Sequence, residues 1–355
     1  MPYTPPVFIN GSFTTQPFTG VQRYATEITK RLIDLDRAND PASRRIRLLT
    51  HRGKNYGTIR RNLWEQVDLL AQSVHGILFS PSNIGPWFHP RHLVTIHDIR
   101  AFSAAQADSL PSRTRNWQRA SLKALAKTAA TILTDSYYSQ ICILDALRLS
   151  DNKVKVIYPG ADHILDIPQD PEVFTKLRLE AQKYVLAVGS LYPHKNLSIL
   201  HSINWQKFDL KLCIVGEAPD TNAKAFIKVV EEARRQPASI LYTGRRSDAE
   251  IKSLYTHAFA YVLPSLYEGF GFPPLEAMYC GCPVLASDRT SIPEVCGDAA
   301  LYFDPLSIVS LQYAVDRIVT DNAIRKTLIE KGYHRSQQFK WDNTAGQVMD
   351  VLNSM

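Results

Sequence analysis

No apolar run in the sequence approaches the ~20 residues that a membrane-crossing helix requires. The opening Met1-Pro2-Tyr3-Thr4-Pro5-Pro6 lacks the basic-then-apolar layout of a secretory leader. Cysteine is scarce: five residues, an odd number without regular spacing, read as reduced thiols of a cytosolic protein rather than a disulfide framework. Zinc-finger spacing, RNP-like strands and basic-region heptads are all missing, so nucleic acid is not an expected partner. Low-complexity tracts and repeats of fixed period are missing too. What is present, 355 residues of which 45% are hydrophobic and 21% charged, suffices for a buried core and excludes wholesale disorder. That length fits about two domains of ordinary size.

The net charge of +7 is unevenly placed. Residues 1–162 hold 21 Lys+Arg against 12 Asp+Glu, whereas residues 163–355 hold 20 against 22. The basic excess therefore belongs to the first half. Such an excess serves solubility or attracts something anionic.

Short β-rich runs recur along the chain, most of them followed by a stretch of helical period. Val7–Asn10, Arg47–Thr50, Ile77–Phe79, Leu93–Ile96, Thr131–Thr134 and Val154–Ile157 read as strands of the first half. Tyr184–Val188, Leu210–Val215, Ile240–Tyr242, Ala260–Leu263, Pro283–Ala286 and Leu301–Phe303 continue the rhythm in the second. Near-continuous apolar runs suit strands buried on both faces, and alternation with helices predicts an α/β protein with two doubly wound parallel sheets. The expected division is residues 1–162, residues 163–338, and a terminal helix over 339–355. That helix would be capped by an Asp or Asn, carry Val348, Val351 and Leu352 inward, and cross back to the first domain.

In open α/β sheets ligands bind beyond the carboxyl ends of the strands. The richest strand-to-helix turn is Pro264-Ser265-Leu266-Tyr267-Glu268-Gly269-Phe270-Gly271-Phe272-Pro273-Pro274-Leu275-Glu276. Its glycines permit close backbone approach, and its prolines pre-set the first turn of a helix whose free N–H groups suit phosphate. Glu276, about one turn into that helix, can accept both hydrogen bonds of a vicinal diol such as ribose. Glu268 precedes the glycines and can meet hydroxyls at the other end of the same ligand. A bare pair of glutamates on such a turn is more often merely solvated. The turn is not a dinucleotide fingerprint, because Pro274 stands where a third glycine belongs.

Glu268 and Glu276, with seven residues between them in E-G-F-G-F-P-P-L-E, resemble the E-x7-E signature of retaining GT-B glycosyltransferases of family 4. Val188-Gly189-Ser190-Leu191-Tyr192-Pro193-His194-Lys195-Asn196 is similar to the family's donor-phosphate loop. Val215-Gly216-Glu217 and Tyr242-Thr243-Gly244 resemble its next two strand ends. Gly281-Cys282-Pro283-Val284-Leu285-Ala286-Ser287 with Pro293-Glu294-Val295 resembles the segment after the signature. In the first half, Phe18-Thr19-Gly20-Val21-Gln22-Arg23-Tyr24 resembles the glycine loop of the acceptor domain, and Thr95-Ile96-His97-Asp98 its His-containing strand end.

The resemblance implies GT-B architecture, two Rossmann-like domains facing across a cleft, and transfer of a hexose from a nucleotide diphosphate sugar with retention. The acceptor hydroxyl would attack on the leaving-group face and the diphosphate would take its proton. Catalytic roles would fall to Glu268, Lys195 and His97. Donor binding would involve Gly20, Ser190, Lys195, Arg245, Glu268, Gly269, Phe270, Gly271 and Glu276, with Lys195 on the diphosphate and Glu276 on the ribose. Arg23, Tyr24 and Arg100 would lie on the acceptor side. Many members carry an arginine where this chain has Ser190, which leaves Arg245 and His194 as candidates for a second cation. Asp98 would orient His97 or cap the following turn. His89 and His92 have metal-like spacing but read as loop residues, and Cys280 and Cys282 as packing residues.

No cofactor and no divalent metal are implied; the nucleotide sugar is a substrate. The Gly-Val-Gln-Arg-Tyr form resembles members that handle GDP-mannose, so a mannosyltransferase of surface polysaccharide synthesis is expected, with a lipid-linked or oligosaccharide acceptor. The expected place is cytoplasmic, peripheral on the inner face of the plasma membrane. Arg44, Arg45, Arg47, Arg52, Lys54, Arg60, Arg61, Arg113, Arg115, Arg119 and Lys123 are candidates for contact with anionic lipid. Alternatives are a UDP-sugar-dependent enzyme of the same fold, a non-catalytic nucleotide-binding regulatory protein, or an NAD-dependent oxidoreductase.

Overall fold

The computed structural model describes residues 5–40, 44–51, 58–102, 112–217 and 239–355. Arg52 and Lys54 lie outside the described residues. The chain forms two compact units: residues 1–160 with 340–355, and residues 161–339.

The first unit is built on a six-stranded parallel sheet: β1 (Val7–Asn10), β2 (Ile46–Leu49), β3 (Ile77–Ser80), β4 (His92–Thr95), β5 (Thr131–Thr134) and β6 (Val154–Val156). Their order is β2-β1-β3-β4-β5-β6, so the winding reverses between β1 and β3. Inner strands β1, β3 and β4 are buried at every residue, whereas edge strand β2 is buried only at Ile46. That difference explains the unbroken apolar runs: a strand covered on both faces has no solvent side to alternate with. Helix α1 (Gly20–Asn39) buries Tyr24, Ala25, Ile28 and Leu32, positions spaced to make one helical stripe. Ile28 and Leu32, taken fully out of water, contribute about 1.5–3 kcal/mol each.

The second unit repeats the design with β7 (Tyr184–Val188), β8 (Lys211–Val215), β9 (Ile240–Tyr242), β10 (Ala260–Leu263), β11 (Val284–Ser287) and β12 (Ala300–Phe303). The order is β12-β11-β10-β7-β8-β9, all parallel, and the winding reverses between β7 and β10. Helices α2 (Asp248–His257), α3 (Phe272–Tyr279) and α4 (Asn322–Ser336) pack around it. Val185, Ala187, Leu212, Ile214, Val262 and Leu285 meet Trp205, Leu311 and Val315 in its core. Helix α2 opens on a capping box: the Ser247 hydroxyl accepts from the Glu250 N–H while the Glu250 carboxylate accepts from the Ser247 N–H.

Helix α5 (Trp341–Asn353) packs on α1 and buries Val348, Val351 and Leu352. Its cap differs from expectation. Lys340 occupies the capping position with no side-chain hydrogen bond, and Asp342 instead accepts from Arg31 Nε at 3.2 Å. Trp341 is wholly buried, its ring 5.8 Å from that of Tyr24. The Thr344 hydroxyl donates to the Tyr158 carbonyl at 2.8 Å.

Candidate functional site

The reversal between β7 and β10 leaves a crevice at their carboxyl ends, the place where such sheets bind ligands. The loop after β7 carries Lys195 and the loop after β10 carries Glu268. Lys195 Nζ donates to Glu268 Oε1 at 2.7 Å and Oε2 at 2.9 Å, and the Ser265 hydroxyl adds a third bond to Oε1 at 2.7 Å. The side chains are 16% and 11% exposed, so the pair is largely shielded yet open on one side.

The backbone holding this pair is tightly specified. The Leu266 N–H donates to the His194 carbonyl at 2.7 Å, and Asn196, in left-handed conformation at φ +51°, donates from Nδ2 to the Pro264 and Pro305 carbonyls. The Glu268 N–H donates to Thr290 Oγ1 at 3.1 Å, and the Ser291 hydroxyl is within 3.0 Å of the Glu268 and Phe270 carbonyls. Gly271 caps α3 at φ +107°, a conformation that demands glycine. Pro273 and Pro274 follow in the first turn, where their lack of an N–H costs no helical hydrogen bond and their fixed φ starts the helix.

Glu276 lies deeper along α3. His163 Nε2 approaches Oε1 at 3.1 Å, and the Tyr255 hydroxyl donates to Oε2 at 3.3 Å. Burial first, and then the Glu276 charge, push the Tyr255 phenol well above its ordinary value. Tyr261 on β10 is wholly buried with its ring 5.6 Å from that of Tyr255, and burial first, then the charges of both glutamates, raise its phenol well above its ordinary value.

Other expected residues are distributed differently. Ser190 and Gly269 are half-buried on the two loops, while Phe270 is buried against Phe272 and Phe339. Arg245 is exposed after β9, two strands and about 10 Å along the sheet from β7. His194 is buried, with its ring stacked on Tyr192, and so is part of the loop's packing rather than an outward cation.

In the first unit Gly20 is exposed at the start of α1, and Arg23 lies 4.6 Å over the Phe18 ring. Tyr24 corrects the expectation of an acceptor-side residue. It is 1% exposed, its hydroxyl 3.3 Å from Thr95 Oγ1 and its ring against His97 and Trp341. The helical stripe that makes α1 amphipathic turns it into the core. His97 is buried too, with Nδ1 2.5 Å from Asp135 Oδ2 and Nε2 3.2 Å from the Pro81 carbonyl. Burial pulls its pKa down, but Asp135 and the Pro81 carbonyl outweigh that and the net displacement is upward. Asp135, not Asp98, is its carboxylate partner; Asp98 accepts from the Arg100 N–H at 3.0 Å and pairs with that side chain, capping the turn. His92 belongs to β4 rather than a loop, wholly buried with Nε2 2.9 Å from Ser80 Oγ, and burial lowers its pKa to about 3. Among the described residues no group of three His, Cys, Asp or Glu side chains is placed to hold a metal ion.

Three residues of these clusters escape sequence reasoning: His163, Tyr255 and Asp135. Each is far from its partner in sequence, and no local spacing signals the contact. The capping-like Ser265, three residues before Glu268, is the one local clue.

Residues 169–335 match the family described as Glycosyl transferases group 1. The chain carries a group 1 glycosyltransferase domain. It spans β7 to α4 and contains Lys195, Glu268 and Glu276. The glycosyltransferase is 28% identical to O-antigen chain mannosyltransferase B of Escherichia coli, over 94% of this chain and 96% of that one. It is 33% identical to O-antigen chain mannosyltransferase RfbU of Salmonella typhimurium, over 63% and 60% of the two chains. Among solved structures, Anabaena HepE in complex with UDP and glucose superposes with TM-score 0.76 at 17% identity, covering 99% of this chain and 100% of that one. WaaG, a glycosyltransferase involved in lipopolysaccharide biosynthesis, superposes with TM-score 0.69 at 16% identity over 98% and 99%. The fold is that of the GT-B glycosyltransferases.

Proposed function

We propose that the glycosyltransferase moves mannose from GDP-mannose to a lipid-linked or oligosaccharide acceptor during synthesis of a surface polysaccharide. The observation that carries the transfer chemistry is the Lys195–Glu268 pair at the β7/β10 reversal, beside the N-terminus of α3. A compact ammonium and a helix end together meet the diphosphate charge that develops as the sugar leaves, and Glu268 meets donor-sugar hydroxyls. The two O-antigen mannosyltransferase relatives support the choice of sugar and pathway class. UDP-hexose is the second reading, favoured by the UDP and glucose bound in HepE.

On this reading Glu276 holds the ribose, Gly269, Phe270 and Gly271 offer backbone N–H groups, and transfer proceeds with retention and without a divalent metal. Gly20, Arg23 and Arg100 serve the acceptor side, and His97 acts from within its Asp135 pair. We place the enzyme at the inner face of the plasma membrane. Among the described residues no helix is long and apolar enough to cross a membrane. The helix Ser112–Thr128 exposes Trp117, Arg113, Lys123 and Lys127, beside exposed Phe88.

The experiment is donor turnover measured with GDP-mannose, UDP-glucose, UDP-galactose and dTDP-sugars in excess EDTA. GDP-mannose alone is expected to turn over. Turnover of a UDP-sugar instead selects the second reading, and activity that appears only when Mg²⁺ is restored overturns the metal-independent scheme.

A further inference from the structure

Glu276 is held by residues that its own motif does not contain. His163 stands 113 positions earlier in the chain and its ring is buried, yet Nε2 lies 3.1 Å from Oε1. A nitrogen this close to a carboxylate oxygen bonds only as a donor, so Nε2 carries the hydrogen. Tyr255, wholly buried on α2, donates to the other oxygen at 3.3 Å.

The segment bearing His163 is tied to the helix bearing Glu276 independently of that contact. The Ala161 N–H donates to the Phe339 carbonyl at 2.9 Å, and the Tyr279 hydroxyl on α3 donates to the same carbonyl at 3.1 Å. The His163 ring also lies edge-on to Phe272, the first residue of α3, at 6.3 Å. The imidazole is thus fixed relative to α3 at several points. The Glu276 side chain, by contrast, stays 15% exposed and keeps a face for a ligand.

A carboxylate offers about two acceptor positions on each oxygen. We propose that His163 is a positioning residue for nucleotide ribose: with Tyr255 it fills one position on each Glu276 oxygen and leaves the other two for adjacent hydroxyls. The inference rests on the assignment of Glu276 to ribose and extends it. Without the donor at Oε1 the carboxylate turns about its terminal bond, and two hydroxyls fixed on one five-membered ring no longer find both oxygens at once.

The test is calorimetric binding of GDP and 2′-deoxy-GDP to the full chain, with folding followed by thermal unfolding. The natural protein is expected to favour the ribonucleotide by about tenfold, the scale of a hydrogen bond to a charged group. His163→Phe, which keeps a ring but no donor, and His163→Asn, whose shorter amide withdraws from Oε1, are both expected to bring that ratio close to one. His163→Gln, which places a donor near the Nε2 position, is expected to restore it. A purely structural role would lower the melting temperature without changing the ratio. Full discrimination retained in folded His163→Phe or His163→Asn, while Glu276→Gln abolishes it, overturns the inference and spares the ribose assignment. Discrimination that survives in Glu276→Gln overturns both.

Discussion

At the scale of single residues, charge at both sheet ends is managed by pairing rather than by exposure. Lys195 and Glu268 neutralise one another, and the His97 imidazole is compensated by Asp135. The second pair makes stability depend on pH in a definite direction. His97 has a folded pKa raised above its ordinary 6.5, so its proton is held more tightly in the folded chain. Its contribution is fully present below that ordinary value and is lost as pH rises through the elevated one. Asp135→Asn is therefore expected to cost about 2 kcal/mol in mildly acid solution and progressively less toward alkaline pH. Urea denaturation across that range measures it, and a cost that grows with pH would show the sign to be wrong.

At the scale of elements, the site depends on how closely strand ends approach. Gly189 follows β7 and Gly216 follows β8; a Cβ added at Gly216 would sit 1.8 Å from the Gly189 carbonyl oxygen. The Gly189 N–H donates to the Val215 carbonyl at 2.9 Å and the Gly216 N–H to the Gly244 carbonyl at 3.0 Å, so the three loops share one hydrogen-bonded ladder. Gly216→Ala must push the loop carrying Lys195 away from the end of β8 and so displace Lys195. We expect at least a tenfold loss of transfer activity, on the order of 1.4 kcal/mol in the barrier, together with a lowered melting temperature. Initial rates and thermal unfolding report the two effects, and unchanged kcat/KM would show that the loop tolerates the displacement.

At the scale of the whole molecule, the charge is divided between the units and the chain connects them twice, at Gly160–Ala161 and at Phe339–Lys340. The first unit receives α5 as well as the basic excess. A Cβ at Gly160 would lie 2.1 Å from the Trp341 nitrogen, so glycine is required where outgoing and returning segments pass. Exposed Arg113, Lys123 and Lys127, beside Trp117 and Phe88, give the first unit a surface suited to anionic lipid headgroups at about 1 kcal/mol per well-placed cation. The chain is expected to sediment with vesicles containing phosphatidylglycerol and to be released as salt is raised. Equal partition to purely zwitterionic vesicles would remove that reading.

The twelve strands found among the described residues and the α/β class are legible in the sequence, the inner strands most plainly, because a strand buried on both faces writes its burial as an unbroken apolar run. The turn from Pro264 to Glu276 was legible for a related reason: glycine, proline and glutamate constrain the backbone and its chemistry locally. The cap of α5 differs from expectation because Lys340 holds the capping position, while Asp342 lies inside the first turn and accepts from Arg31. Tyr24 was assigned outward because a motif names neighbours in sequence, while the stripe of α1 turns that position into the core. Tertiary structure alone decided which partner each charged side chain takes. Asp135 meets His97 and Lys195 meets Glu268 because parallel strands distant in sequence end side by side, and His163 meets Glu276 because its segment and α3 are both tied to the Phe339 carbonyl. Sequence therefore determined the elements and the chemical inventory of the site, through burial and backbone constraint. The winding of the sheets, which sets distance between residues far apart in the chain, determined how that inventory is paired.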